Sequence, residues 1–325
     1  MVGNSGAKVE GVGLVIGASD SNHLSPGEYA ILRTVLYSSL FDYPLTPREV
    51  WLSLLECRQD KPSILELYLS SSALQRVIDF KDEHFFVRGR EDLPRLRSKR
   101  KAYSQSILHK NRRLLRLICT VPFTRLVAFS GSAAHLNMDG SGDIDLFVVT
   151  RGDRVWSTAM TMLLLARLFG RRKTICFNFL LADTRLHIQK ADLFNANQLI
   201  HLKPLIGHEV YRALMSKNRF ARDYYPNFTP SPDGAAEYAP GRFLMVAKRI
   251  LEWLLRPGLS HLEEALCRWI YRRHLLRQQP TWTSPQEVIL DKDILKLHAY
   301  SHRQRVCDRF DQVLREARQK ISLAG

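Results

Sequence analysis

From Pro26 onward apolar positions recur at helical spacing: Ile31, Leu32, Val35, Leu36 and Leu40 share one face, and Phe41-Asp42-Tyr43-Pro44 ends the run. Thr46-Pro47-Arg48-Glu49 follows as a capping box with proline at the first helical position, so a second helix begins there, with Trp51, Leu54 and Leu55 as its apolar face. A third short helix is predicted over Ser72 to Phe80 through Leu74, Val77 and Ile78, and Asp82 to Arg90 reads as a hairpin. The period then changes. Leu126 to Phe129 reads as a buried strand, Asp143 to Thr150 as a second, and Thr174 to Asp183 as a third. Trp156 and Leu163-Leu164-Leu165 mark a crossover helix, and Ala191 to Ile200 is a helix with Leu193, Ala196, Leu199 and Ile200 at core spacing.

These patterns predict an α+β protein: a mixed-sheet core flanked by an N-terminal winged helix and C-terminal helices. Residues 1–25 are a Gly/Ser/Asn-rich flexible arm whose Gly11-Val12-Gly13 run has the wrong spacing for a dinucleotide loop. Residues 26–92 form the winged-helix-like domain, 93–123 basic connecting helices, and 124–228 the core domain. A Pro/Gly-rich linker spans 229–241, and 242–325 is a helical region carrying Leu251, Trp253, Leu266, Trp269, Phe310 and Val313. The third helix of the winged helix offers only Gln75 and Arg76 to read bases, so the unit serves either nucleic-acid binding or packing and protein contact.

A length of 325 residues with 45% apolar and 25% charged positions excludes disorder, collagen and coiled coil as global answers. The longest apolar stretch, Val155 to Phe169, is broken by Ser157, Thr158, Thr161 and Arg167 and falls short of the ~20 residues of a membrane span. The start lacks a secretion signal, and Cys57, Cys119, Cys176, Cys267 and Cys307 are scattered without a Cys-x-x-Cys, so we expect a cytoplasmic protein with reduced thiols. The 48 lysines and arginines against 32 acidic residues leave a net charge of +16, which favours polyanions or an anionic membrane surface. The basic run from Arg88 to Arg116 either tracks the phosphates of RNA or DNA, with Tyr103 to stack, or is a solvated connecting helix. His298 and His302, four apart, lack a third ligand at helical spacing and read as surface histidines.

The chemistry concentrates in Phe129-Ser130-Gly131-Ser132 and Gly142-Asp143-Ile144-Asp145-Leu146. Period two puts Asp143 and Asp145 on one strand face, where adjacent carboxylates are costly without a cation between them. Oxygen-only ligation with an open side suits Mg²⁺ or Mn²⁺ completed by phosphate oxygens. Gly131 lets backbone approach a phosphate, and Ser132 adds a hydroxyl and an amide.

Gly-Ser, ten residues, then Asp-Ile-Asp-Leu resembles the signature of the nucleotidyltransferase superfamily typified by DNA polymerase β, especially its minimal members. The resemblance covers Leu126 to Thr150, and the order of elements looks like that of prokaryotic proteins joining a winged helix to such a domain. It implies that Gly131 and Ser132 hold the phosphates of a nucleoside triphosphate and that Asp143 and Asp145 hold the metals. The implied reaction is transfer of a nucleoside monophosphate to an acceptor hydroxyl of a nucleic acid or a protein. One position departs from the pattern. The family's third carboxylate, often the base, falls at Asn178, between Phe177 and Phe179, and asparagine cannot take a proton. Asp183 has the wrong parity unless a bulge re-aims it. Two rival expectations stand beside transfer: a nucleotide-binding regulator with a degenerate core and a DNA-binding winged helix, and an antitoxin-like modifier that nucleotidylates a partner protein.

Overall fold

The computed structural model describes residues 24–140, 142–230, 236–255, 260–298 and 303–323. The Gly11-Val12-Gly13 run and most of the predicted arm, the middle of the predicted 229–241 linker, and His302 lie outside the described residues. The architecture is α+β, with a six-stranded mixed sheet and fourteen α-helices among the described residues. None of these helices is long and apolar enough to cross a membrane.

The front of the chain folds as α1 (Pro26–Ser39), α2 (Pro47–Leu52), α3 (Ser63–Ser70) and α4 (Ser72–Gln75), followed by a hairpin of β1 (Ile78–Lys81) and β2 (His84–Val87). The capping box of α2 is complete: the Thr46 hydroxyl accepts from the Glu49 amide and the Glu49 carboxylate accepts from the Thr46 amide. A second box, Ser25 with Glu28, starts α1. The expected third helix over 72–80 is shorter than predicted. It stops at Gln75 because Asp82 and Glu83, with φ of 50° and 60°, make a two-residue turn with both central residues left-handed, and that turn draws 78–81 into a strand against 84–87. Helix α3 is an addition to the predicted set.

Helices α5 (Leu93–Lys110) and α6 (Arg112–Cys119) occupy the predicted basic connection. They lead into β3 (Thr124–Phe129), the short α7 (Gly131–Ala134), β4 (Ile144–Thr150), the crossover helix α8 (Val155–Leu168) and β5 (Ile175–Ala182). Then come α9 (Leu193–Ile200), β6 (Lys203–Ile206), α10 (His208–Lys217) and α11 (Phe220–Tyr224). The remaining elements are α12 (Arg242–Leu254), α13 (Ser260–Arg277), β7 (Val288–Leu290), β8 (Ile294–Leu297) and α14 (Arg303–Ser322). The strand order is β6-β3-β4-β5-β8-β7, in which only β4 and β5 run parallel, as a helical crossover demands.

The segment 242–325 is therefore not purely helical, as its amphipathic runs led us to expect. Between α13 and α14 it contributes the β7–β8 hairpin, which extends the sheet beyond β5 through Leu180↔Leu295 and Leu181↔Ile294. The two sheet faces carry separate cores. Leu126, Ala128, Phe147, Val149 and Leu181 pack with the front helices, α9 to α11 and α14. Val127, Ile144, Leu146, Val148 and Leu180 pack with α6, α8 and α13. Because Ile31 and Val35 of α1 belong to the same core as Phe147, the predicted boundary at 92/93 does not divide the packing.

Part of the basic run is used to fasten neighbouring segments down, chiefly the front helices. Arg97 of α5 makes paired 2.7 Å bonds to Glu49 of α2 and lies 4.4 Å from the centre of the Tyr43 ring. Arg90 and Arg100 reach Asp42, and Arg116 donates to the Glu237 carbonyl. Burial alone would raise the Glu49 carboxyl, but Arg97 holds it down at about 2. Arg95, Lys99, Lys101, Lys110, Arg112 and Arg113 stay exposed.

Candidate functional site

The site forms where the C-terminal end of β3 meets the N-terminal ends of β4 and β5. The Ser130 amide donates to the Asp145 carbonyl at 3.0 Å, which ties the turn after β3 to the start of β4. The chain then turns at Gly131 with φ of 54° into α7. Glycine is required there twice over. The backbone is left-handed, and a Cβ at this position would lie 2.9 Å from Asp145 Oδ2. Asp143 and Asp145, on one face as period two predicts, both line a cavity of about 420 Å³ together with Ser130, Gly131 and Asn178. Ser132 lies one residue beyond that lining, and its carbonyl accepts from the Asn137 amide at 2.9 Å.

Strand β5 carries an irregularity at the position that matters. Register runs Asp145↔Cys176 and then Phe147↔Phe179, so one extra residue is inserted and the alternation slips. Phe177 points into the core on the α8 side, while Asn178 and Phe179 in succession both face the cavity. Asn178 Nδ2 donates to Asp145 Oδ1 at 2.5 Å, and Cys176 Sγ donates to Asn178 Oδ1 at 2.7 Å. The same slip gives Asp183 the parity of the site face. It nevertheless sits at the far end of the strand, where its carboxylate accepts from the Gly152 amide at 2.9 Å, and it takes no part in the site.

Asp143, Asp145 and Cys176 bring one ligand atom each within 4.8 Å of one another, all half-buried. Burial and the neighbouring Asp143 push the Asp145 carboxyl up to about 7, and the Asn178 bond only partly offsets them. Burial, then the two aspartates, also push the Cys176 thiol up, so it stays protonated and serves as a donor. The oxygen ligands for a hard cation are therefore the two carboxylates. A divalent cation fits this pair, because its charge would offset both the burial and the Asp143 repulsion that raise Asp145.

The rest of the cavity wall came without warning from the sequence. Phe194, Asn195, Gln198 and Leu199 of α9 line it, and Asn195 is held by its bonds to Asp192 and the Lys190 carbonyl. The core spacing of α9 picked out Leu199 but not Phe194, Asn195 or Gln198. His298, expected on the surface, follows β8 into the cavity wall with its ring 6.2 Å from that of Phe179, and burial followed by nearby Lys296 lowers it to about 4. Cys176 carried one signal, its spacing of two before Asn178 on a strand. Comparison with known protein families, curated proteins and solved structures yields no match to this chain.

Proposed function

We propose that this chain is a metal-dependent nucleotidyltransferase that moves a nucleoside monophosphate from a nucleoside triphosphate to an acceptor hydroxyl. The observation that carries the reading is the close seating of the left-handed Gly131 turn against Asp145, with Asp143 beside it on the same strand face. A phosphate-binding turn and a carboxylate pair at one cavity edge are what a triphosphate and its cation need together. Asp143 and Asp145 hold Mg²⁺ or Mn²⁺, and Gly131 with the Ser132 amide and hydroxyl receives the phosphates. The bound cation supplies charge neutralisation for the triphosphate and for the leaving pyrophosphate.

The chain's own residues do the rest. Phe147, Phe179, Phe194 and Leu199 give the cavity apolar walls that exclude water and suit the flat face of a base, and Gln198 offers an amide to its edge. In the transfer, the acceptor oxygen bonds to the α-phosphorus, the bond from that phosphorus to the bridging oxygen breaks, and pyrophosphate leaves. Asn178 keeps the geometry of Asp145 through its 2.5 Å bond but takes no proton, so the hydroxyl proton passes to solvent. The winged-helix reading of the front, and RNA, DNA or a partner protein as acceptor, belong to the same proposal.

Asn178 also favours a second reading, in which the site binds a nucleotide without turning it over and the protein acts as a regulator. One experiment separates the two. The protein is incubated with each α-labelled nucleoside triphosphate, Mg²⁺ or Mn²⁺, and cellular RNA and protein. Label on a macromolecule, lost in Asp143→Asn/Asp145→Asn, supports transfer. Cation-dependent nucleotide binding with no transferred label supports the regulator, and neither binding nor transfer rejects both.

A further inference from the structure

Helix α12 is turned inside out. Its buried residues are Lys248 and Glu252, one turn apart: Lys248 Nζ donates to the carbonyls of Cys119 and Thr124, and Glu252 accepts from the Phe123 amide at 2.8 Å. The opposite face carries Phe243, Val246, Ile250, Trp253 and Leu254 in helical register, with Phe243 83% and Trp253 68% exposed. Helix α13 shares part of this arrangement, although its Tyr271 and Leu275 are buried in the core. Glu264 points inward and caps the first amides of α8 at Trp156 and Ser157, while Leu262, Leu266, Trp269 and Ile270 face outward. An apolar surface of this kind needs something to cover it.

The charges on the two helices say what. Their three carboxylates are all engaged with the body of the protein, since Glu252 and Glu264 are buried and Glu263 pairs with Arg154 at 3.6 Å. Arg242, Arg249, Arg272, Arg273 and Arg277 remain exposed beside the apolar stripes, and the Arg273 guanidinium lies 5.7 Å from the centre of the Trp269 ring. A second copy of this face would set arginine against arginine. A nucleic acid would match the arginines but has no apolar phase for the aliphatic majority of the stripes. Exposed tryptophan, aliphatic and arginine side chains on two surface helices complement a bilayer interface with anionic headgroups.

We infer that α12 and α13 form a peripheral docking surface for an anionic membrane, on which the protein lies without spanning it. The test is sedimentation of the full chain with vesicles of phosphatidylcholine alone and with about one third phosphatidylglycerol, together with tryptophan emission. The expected result is binding to the anionic vesicles only, with a blue shift, weakened by salt. Trp253→Glu/Trp269→Glu lowers the partition by roughly tenfold or more, and Arg272→Gln/Arg273→Gln by roughly fivefold for each charge removed. All four side chains are at the surface, so an unchanged thermal melt accompanies the loss. The inference is overturned by no binding to anionic vesicles, by equal binding by the variants, or by a dimer in solution that Trp253→Glu/Trp269→Glu makes monomeric. Retention by nucleic acid alone overturns it as well.

Discussion

Two carboxylates on the same sheet have opposite fates. Glu287, just before β7, is 5% exposed and meets Lys190 at 2.6 Å, Lys296 at 2.9 Å and Arg303 at 3.4 Å. Burial would raise it, but Lys190 and Lys296 hold it down at about 2. Asp145, three strands away from β7, is half-buried with Asp143 for a neighbour and an amide for a partner, and it rises to about 7. The first carboxylate is answered by the chain itself. On the proposed function the second is left for a bound cation, which is how a binding site differs from a structural ion pair.

The largest expected effect is at the answered group. Glu287→Ala takes the carboxylate away from the enclosed Lys296, while Arg303 keeps Asp192 and Lys190 reaches solvent, and lowers unfolding stability by about 3–5 kcal/mol in urea titration. Asp145→Asn goes the other way: without divalent cations at pH 8 it raises stability by about 2–4 kcal/mol, because the unfavourable buried charge is gone. A loss of stability in that variant breaks the contrast. The pH dependence follows the same signs. Asp145 holds a proton in the folded state that the unfolded chain releases near pH 4, so its contribution is full below pH 4. It is lost between about pH 4 and 7, at up to about 1.4 kcal/mol per unit. Glu287 behaves oppositely, its contribution being present above about pH 4.5 and lost as pH falls toward 2.

Asn178→Asp sharpens the comparison from the catalytic side. It adds the proton acceptor missing from the site and raises transfer in the labelled-nucleotide assay by roughly 10²-fold, a typical contribution of a general base. No gain in that variant argues against position 178 as the place of a missing base. The smallest effect is Gly131→Ala. The left-handed φ and the 2.9 Å approach to Asp145 cost about 1–2 kcal/mol of stability, together with weaker triphosphate binding by calorimetry.

Much of this contrast was legible in the chain on one side only. The Gly131 turn and the Asp143/Asp145 pair are local, written in adjacent residues and period two, and they meet at the cavity as expected. The capping box at Thr46 and Glu49 is local as well. What escaped depends on pairing between distant segments. The slip at Asn178 and Phe179 exists only against β4, and without it parity misassigns both Phe179 and Asp183. The β7–β8 hairpin turns through Asp291-Lys292-Asp293, which lacks glycine, and its strands are too short for periodicity to separate from the surrounding helices. Glu287 reads as an ordinary charged loop residue until Lys190 and Lys296, 97 and 9 residues away, converge on it. The outward apolar faces of α12 and α13 misled in the opposite direction, since amphipathic spacing reveals a stripe but not which way it points.

The central claim is that the Asp143/Asp145 pair is kept out of balance for a divalent cation. The direct test is thermal unfolding at pH 8 in chelator and in excess Mn²⁺ or Mg²⁺, for the wild type and for Asp143→Asn/Asp145→Asn. The account predicts that the cation stabilises the wild type, by about 2.7 kcal/mol at a hundredfold excess over Kd. The double variant is more stable than wild type in chelator and does not respond to metal. A wild type indifferent to both cations, or a double variant that responds equally, contradicts it.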